Sequence, residues 1–142
     1  MKSTPNILLI NPWICDFAAY DLWMKPLGLL YLGGLLIKNG YSVRLVDCLN
    51  MDHPGMKSQV AYSSSEHDYF GARKLYKEIL PVPSVYGNIH RHFGRYGITE
   101  KIFREMVVDG PKPKVILVTS MMTYWYPGVF DAIRIVKEIW PD

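Results

Sequence analysis

The chain has 142 residues, of which 49% are hydrophobic and 20% charged, and its net charge is +3. This composition predicts one folded domain with a real core, and the charge is too small to indicate a nucleic-acid partner. No apolar run reaches the roughly 18 residues that a membrane span needs, and no signal-peptide pattern precedes the first apolar run. We therefore expect a cytoplasmic protein, and its two cysteines argue against a disulfide framework.

Residues 5–47 predict one strand–helix–strand unit. Ile7–Ile10 is apolar without alternation, which is typical of a strand buried on both faces of a parallel sheet. Leu27–Ile37 is long enough for a crossover helix, and Asn39-Gly40 supplies its C-terminal stop. Tyr41–Val46 is rich in β-forming residues and ends at an acid. The unit therefore predicts two parallel strands.

The connection at 11–25 is long and rich in aromatic residues, which is more often functional than idle. The alternative is that Trp13, Phe17 and Trp23 only pack over the start of the helix. No Gly-x-Gly-x-x-Gly motif follows the first strand, so the sequence argues against a dinucleotide site. Gly33-Gly34 instead indicates close packing of the helix on the sheet.

Between about 48 and 97 the alternation of strand and helix patterns stops. This predicts an irregular or helical insertion with a short helix at Ala72–Leu80. Residues 71–105 carry seven basic residues against three acids, which a phosphate or nucleic-acid contact could use. We favour the interpretation that the excess basic residues lie on a solvent-exposed face. His90 and His92 have no thiol or carboxylate nearby, so no metal site is predicted.

The α/β pattern returns at Thr99, a predicted N-cap for a helix with apolar residues at helical spacing over 102–107. Val115–Ser120 predicts the third parallel strand. A last helix is expected to begin near Val129, with an inner face at Val129, Ile133, Val136 and Trp140. Since such a pattern would next deliver a strand, we expect the chain to be a truncated piece of a larger protein.

A ligand of an open parallel sheet binds outside the carboxyl ends of its strands. The first strand ends at Asn11-Pro12-Trp13 and the third at Ser120–Tyr124, and these ends are neighbours if the strand order is 2-1-3. They offer an amide, hydroxyls, thioethers and aromatic rings, without paired carboxylates or a nucleophile beside a base. The sequence therefore predicts a binding module, with no catalytic residue assigned.

Three motifs in this order, Ile10-Asn11-Pro12, Pro26–Leu32 and Gly40–Asp47, resemble the amino-terminal cobalamin-binding domain of B12-dependent radical SAM proteins. Val118–Val129 and Arg95–Ile98 resemble a poorly characterised branch of that family. The resemblance implies a flavodoxin-like domain that holds cobalamin with its nucleotide tail tucked into the sheet. It also implies a parent enzyme whose C-terminal radical SAM domain binds a 4Fe-4S cluster and S-adenosylmethionine, neither of which this chain would hold.

The resemblance also implies the cobalamin-binding residues. They are Asn11, Pro12 and Trp13 at the upper crevice, Leu27 and Gly28 at the helix entry, and Ser120, Met121, Met122, Thr123 and Tyr124 around the tail pocket. Ser120 matches the serine of the family's Ser-x-Leu element and would hydrogen-bond the tail. The family's Asp-x-His-x-x-Gly motif is missing, and no histidine precedes His53, so the implied cobalt takes no lower histidine ligand from the first loop.

These patterns together predict a truncated Rossmann-like or flavodoxin-like three-layer α/β domain spanning 1–142, with parallel strands in the order 2-1-3. One alternative is a flavin- or nucleotide-binding flavodoxin-like module, although Asn11–Asp16 lacks the expected Ser, Thr and Gly. The other is a non-enzymatic interaction domain that docks a partner on the basic stretch. A sheet cut after its third strand would expose the edge at Val115–Thr119, which predicts a homo-oligomer.

Overall fold

The computed structural model describes residues 6–21, 25–59 and 73–141. In chain order the elements are β1 (Asn6–Asn11), β2 (Ile14–Asp16), β3 (Tyr20–Asp21), α1 (Leu27–Lys38), β4 (Ser42–Asp47), α2 (Pro54–Gln59), β5 (Arg73–Lys74), β6 (Lys77–Ile79), β7 (Gly94–Tyr96), α3 (Glu100–Val108), β8 (Val115–Val118) and α4 (Tyr126–Ile139). Two 3₁₀ turns lie at Ser84–Tyr86 and Thr123–Trp125. The α/β class is thus confirmed.

A parallel sheet forms from β4, β1 and β8, hydrogen-bonded in that order. In the central strand, Ile7 pairs with Val43 on one side and with Val115 on the other. All six residues of β1 are buried, because a central parallel strand is covered on both faces. Strand β8 ends two residues before the predicted end, because Ser120 turns away and its Oγ donates to the carbonyl oxygen of Met122 at 2.9 Å.

Side chains of β1 alternate between the two faces of this sheet. Ile7 and Leu9 pack with α1, whereas Leu8 and Ile10 belong to the larger core beneath α3 and α4. A Cβ at Gly33 would lie only 2.8 Å from Leu9 Cδ1, so glycine permits the close approach of α1 that the sequence predicts. The sheet therefore lies between α1 on one side and α3 and α4 on the other.

Helix α1 ends one residue after its predicted end. Gly40 has a φ of 82°, a left-handed conformation that favours glycine, and its N–H donates to the Ile37 carbonyl at 2.9 Å. Leu29 and Gly33 face inward and are buried. The outward side is also apolar and is exposed at Leu27, Leu30, Tyr31, Leu35 and Ile37.

Helix α3 has the predicted N-cap, since the Thr99 hydroxyl accepts a hydrogen bond from the Ile102 N–H at 3.4 Å. Helix α4 begins three residues before the predicted start. Its first turn contains Pro127, which suits a position where the backbone N–H has no helical partner.

The predicted inner face of α4 is wrong in part. The buried residues of α4 are Gly128, Ala132, Ile135 and Val136, whereas Val129, Ile133 and Trp140 are only partly buried. The helix packs with Gly128 against the Trp13 backbone, where a Cβ would overlap the Trp13 carbonyl oxygen. This contact turns the helix away from the face that the side-chain pattern predicts.

The helix predicted at Ala72–Leu80 is wrong. Its described residues form β5 and β6, and β6 pairs with β7 and β7 with β2 in an antiparallel sheet of order β2-β7-β6. Lys77 pairs with Tyr96 and Ile79 with Gly94. Pairing across the chain has thus overridden a local helical pattern, as tertiary context commonly does.

The predicted loop at 11–25 also contains strands, since β3 pairs with β5 in a second small antiparallel ladder. Trp23, Gly71 and Ala72 lie outside the described residues. None of the helices in the described part of the chain has the length and apolar character needed to cross a membrane.

Candidate functional site

The carboxyl ends of β1 and β8 lie side by side. Ile10 pairs with Val118, and the Thr119 N–H donates to the Ile10 carbonyl at 3.1 Å. The crevice between the two ends is lined by Asn11, Pro12, Trp13, Ile14, Leu49, Ser120, Met121 and Trp125. Its volume is about 10 Å³, room for about one water molecule. The structure therefore brings together five of the ten predicted site residues around one small crevice.

Asn11 forms the floor of this crevice. Its side chain is buried, and Nδ2 donates to Asp47 Oδ1 at 2.8 Å. The same carboxylate oxygen accepts from the Leu49 N–H at 3.0 Å, and Asp47 Oδ2 lies 3.6 Å from Lys25 Nζ. The amide of Asn11 is thus occupied in joining the end of β1 to the end of β4.

Trp13 lies beneath the crevice, with its ring 1% exposed. Its Nε1 donates to the Ile98 carbonyl at 2.6 Å, and its ring centroid is 4.6 Å from that of Phe103. The Arg95 guanidinium lies over the same ring, 4.7 Å from the centroid. Trp13 therefore packs, but in the core beneath α3 and α4 and not over the start of α1 as the alternative interpretation proposed.

The segment after β8 divides between the crevice and the surface. Ser120 and Met121 line the crevice, whereas the side chains of Met122, Thr123 and Tyr124 are exposed outside it. Tyr124 borders a second cavity instead.

Leu27 and Gly28, at the start of α1, are exposed and are not among the described residues that line the crevice. The neighbouring Lys25 connects this end of the helix to the strand ends through its contact with Asp47.

Both cysteines are free and buried. Burial raises the pKa of the Cys15 thiol to about 12, with further contributions from the carboxylates of Asp131 and Asp16 that outweigh the opposing effect of Arg95. Burial, and secondly the Asp47 carboxylate, raise the pKa of the Cys48 thiol. Neither is a thiolate at neutral pH. The described residues also contain no group of three or more side chains able to hold a metal ion.

Arg95 lies at the centre of a cluster of charged side chains. The sequence alone did not distinguish it from the solvent-exposed basic residues of the same stretch. Arg95 is 6% exposed, and its guanidinium lies 2.7 Å from Glu78, 3.5 Å from Glu100 and 3.7 Å from Asp131. Burial acts to lower its pKa, but the hydrogen bond and the charges of these three carboxylates outweigh burial and raise it. The three acids come from separate segments, so no local pattern could have revealed the cluster.

The predicted basic surplus is also partly neutralised elsewhere. Arg104 is ion-paired with both Glu100 and Glu138, and Lys101 lies 4.0 Å from Glu105. These pairs weaken the interpretation of the stretch as a cationic docking surface.

No known family matches this chain, and no curated protein or solved structure is significantly similar to it.

Proposed function

We propose that this chain is a corrinoid-binding module, a Rossmann-like or flavodoxin-like domain that holds cobalamin for the catalytic part of a radical SAM enzyme. The observation that carries the proposal is the meeting of Asn11-Pro12 and Ser120-Met121 at one crevice. These are positions that the sequence resemblance assigns to cobalamin. The strand order β4-β1-β8, with helices on both faces, supports the same interpretation because ligands of such sheets bind at strand ends.

The groups at this edge suit the amide-bearing and phosphate-bearing periphery of a corrinoid. Ser120 offers a hydroxyl, and the exposed segment that follows offers backbone polar groups. A bound corrinoid would supply a cobalt centre for group transfer. None of the described residues that line the crevice is a histidine, so this edge would give the cobalt no imidazole ligand.

A nucleotide tail needs more room than the crevice provides, so binding requires the segment from Ser120 to Tyr124 to move outward. Within that segment, the Ser120 Oγ hydrogen bond to the Met122 carbonyl holds the turn and is exposed. The Met122 carbonyl also accepts from the Trp125 N–H at 3.1 Å, and Met121 packs against the core. Each exposed hydrogen bond contributes about 1 kcal/mol, so the opening must be offset by the contacts that the corrinoid gains.

The test is a titration of the protein with hydroxocobalamin, followed by visible absorption and by retention of the corrinoid through gel filtration. We expect a spectral shift and co-elution, and Ser120→Tyr to weaken binding about tenfold, because its ring would fill the space at the crevice that the tail must enter. Ser84→Tyr, at an exposed serine in a 3₁₀ turn, is the matched control. No shift and no retained corrinoid would refute the proposal, and binding of flavin mononucleotide instead would favour the flavodoxin-like alternative.

A further inference from the structure

A second cavity lies between β2, the 3₁₀ turn at Ser84–Tyr86 and the start of α4, and its volume is about 190 Å³. Its lining includes one acid, Asp16, and five aromatic residues, Phe17, Tyr86, Phe93, Tyr124 and Tyr126. Among the described residues, the cavity shares no lining residue with the strand-end crevice.

Phe17 stands at a steep angle to two other rings of the wall, whereas the planes of Tyr86 and Phe93 are inclined by only 33°, with centroids 6.4 Å apart. The centroid of Phe17 lies 5.3 Å from that of Phe93, with 71° between the ring planes, and 5.7 Å from that of Tyr86, with 77° between the planes. The backbone of Phe17 is held in place because its carbonyl accepts from the Tyr96 hydroxyl at 2.9 Å and from Lys77 Nζ at 3.3 Å. The faces of such rings carry partial negative charge.

The carboxylate of Asp16 adds a full negative charge to the wall. Its Oδ1 accepts from the Phe17 N–H at 2.7 Å, and its Oδ2 accepts from Trp125 Nε1 at 2.9 Å. Both donors are neutral, so these hydrogen bonds fix the carboxylate without cancelling its charge. Asp16 lines the cavity, and its charge attracts a cation there without needing a free acceptor site.

The surrounding charges also disfavour an anion in this cavity. At Cys15, which also lines the cavity, burial and then the carboxylates of Asp131 and Asp16 act against a negative charge, and Arg95 opposes them only in part. The nearest buried cation, Arg95, already faces three carboxylates, and Lys77 Nζ is bonded to the carbonyls of Phe17 and His92.

We propose that this cavity binds a small organic cation, an alkylated or quaternary ammonium group, with the ring faces against its methyl groups and Asp16 as its counter-charge. Aromatic faces attract such cations most strongly where water is excluded. The volume suits a head group rather than a drug-sized ligand, whose pockets measure about 300–1,000 Å³. Tyr124 and Tyr126 are half exposed at its mouth, which gives the ligand access.

The test compares choline with its neutral isostere 3,3-dimethylbutan-1-ol by calorimetric titration. We expect choline to bind about tenfold more tightly, because the isostere has the same shape without the charge. Asp16→Asn removes the charge and keeps one of the two acceptors in use. It should reduce that ratio from about tenfold to about threefold, because the rings still attract the cation. Equal affinity of the unmodified protein for the two compounds would overturn the proposal.

A second variant tests the rings independently, in case Asp16→Asn does not fold. Tyr86→Leu removes one wall and should weaken choline binding about fivefold, whereas Tyr31→Leu, at an exposed ring on α1, should leave it unchanged. Tyr86→Leu should also leave the hydroxocobalamin titration unaltered, so the two proposals fail separately. If Tyr86→Leu bound choline as tightly as the parent protein does, the proposal that the aromatic rings bind the cation would be contradicted.

Glycerophosphocholine distinguishes a free cation from a lipid head group that carries the same ammonium. We expect it to bind less tightly than choline, because its phosphodiester is repelled by the Asp16 carboxylate. Tighter binding than choline would overturn the assignment to a free cation.

Discussion

Gly128 and Gly34 are both helical glycines, yet their surroundings differ completely. A Cβ at Gly128 would overlap the carbonyl oxygen of Trp13, which is rigid backbone. At Gly34, on the outward side of α1, no described atom outside the helix backbone lies within 4 Å of the same position. The first glycine is required by packing, and the second only lowers the helix propensity of α1.

We therefore expect Gly128→Ala to reduce the free energy of unfolding by more than about 2 kcal/mol, because α4 must shift away from the core. Gly34→Ala should raise it by up to about 1 kcal/mol. Urea unfolding of both variants measures these two changes in the free energy of unfolding. A Gly128→Ala protein as stable as the parent would show that α4 does not pack on Trp13.

For single residues, the sequence predicts where a residue lies in the fold better than which partners its side chain contacts. The strand patterns correctly place Asn11 at the end of β1, but they place the end of β8 at Ser120, two residues beyond its observed end. They do not show that the Asn11 amide is occupied by Asp47 or that Arg95 is buried. Those facts depend on partners from distant segments, which local periodicity does not contain.

Helices α3 and α4 are joined on their exposed sides by the ion pair between Arg104 and Glu138, which further pairs within each helix extend. Arg104 Nε donates to Glu100 Oε1 at 2.9 Å and also binds Glu138, whose other oxygen accepts from Arg134 at 2.6 Å. Burial alone acts to raise the pKa of Glu100, but the hydrogen bond from Arg104 and the charges of nearby arginines lower it overall. The ionised form of Glu100 is therefore favoured by folding.

Because the folded pKa of Glu100 lies below its ordinary value of 4.5, its contribution to stability is present above that value and is lost as the pH falls through the folded pKa. We expect the stability of the protein to fall more steeply from about pH 5 downward than that of Glu100→Gln. The difference should stay below about 1 kcal/mol and shrink with added salt, since Glu100 is well solvated.

Denaturant unfolding across this pH range measures the effect. Glu105→Gln, on the outer side of the same helix, is the control. Equal slopes for the parent and Glu100→Gln would show that the Glu100 carboxylate gains no stability from its ion pairs with Arg104 and Arg95.

Elements with strong local signals were predictable, and those made by distant pairing were not. Thr99 with its apolar turn identified α3, and Asn39-Gly40 identified the end of α1. The segment 73–79 has a helical composition but forms strands, because β7 provides an edge for β6 and β3 one for β5. Nothing within the segment itself indicates those partners.

The molecule as a whole leaves apolar surface open on two sides. Among the described strands, β8 is hydrogen-bonded to β1 alone, and its other edge is unpaired. Beside that edge runs a groove of about 440 Å³ between β8 and α4, lined by Ile116, Val118, Ile133, Val136, Lys137, Trp140 and Pro141. The outward side of α1 is the second apolar surface. An unpaired edge of this kind invites pairing with another chain.

We therefore predict that the protein self-associates through the β8 edge. Val115→Lys places a charge on that edge, where Val115 is 46% exposed, and should convert the oligomer to a monomer in light scattering. Val85→Lys, at the still more exposed Val85 in a 3₁₀ turn, should leave the oligomer intact. A monomeric parent protein at moderate concentration would contradict this prediction.

The hydrogen bond from Trp125 to Asp16 has a thermodynamic consequence. Trp125 lines the strand-end crevice, and Asp16 lines the aromatic cavity, so the bond joins the walls of the two sites. If a corrinoid displaces the indole, Asp16 loses a donor and its charge becomes more available to a cation. By thermodynamic linkage, the factor by which the corrinoid changes the affinity for the cation then equals the factor by which the cation changes the affinity for the corrinoid.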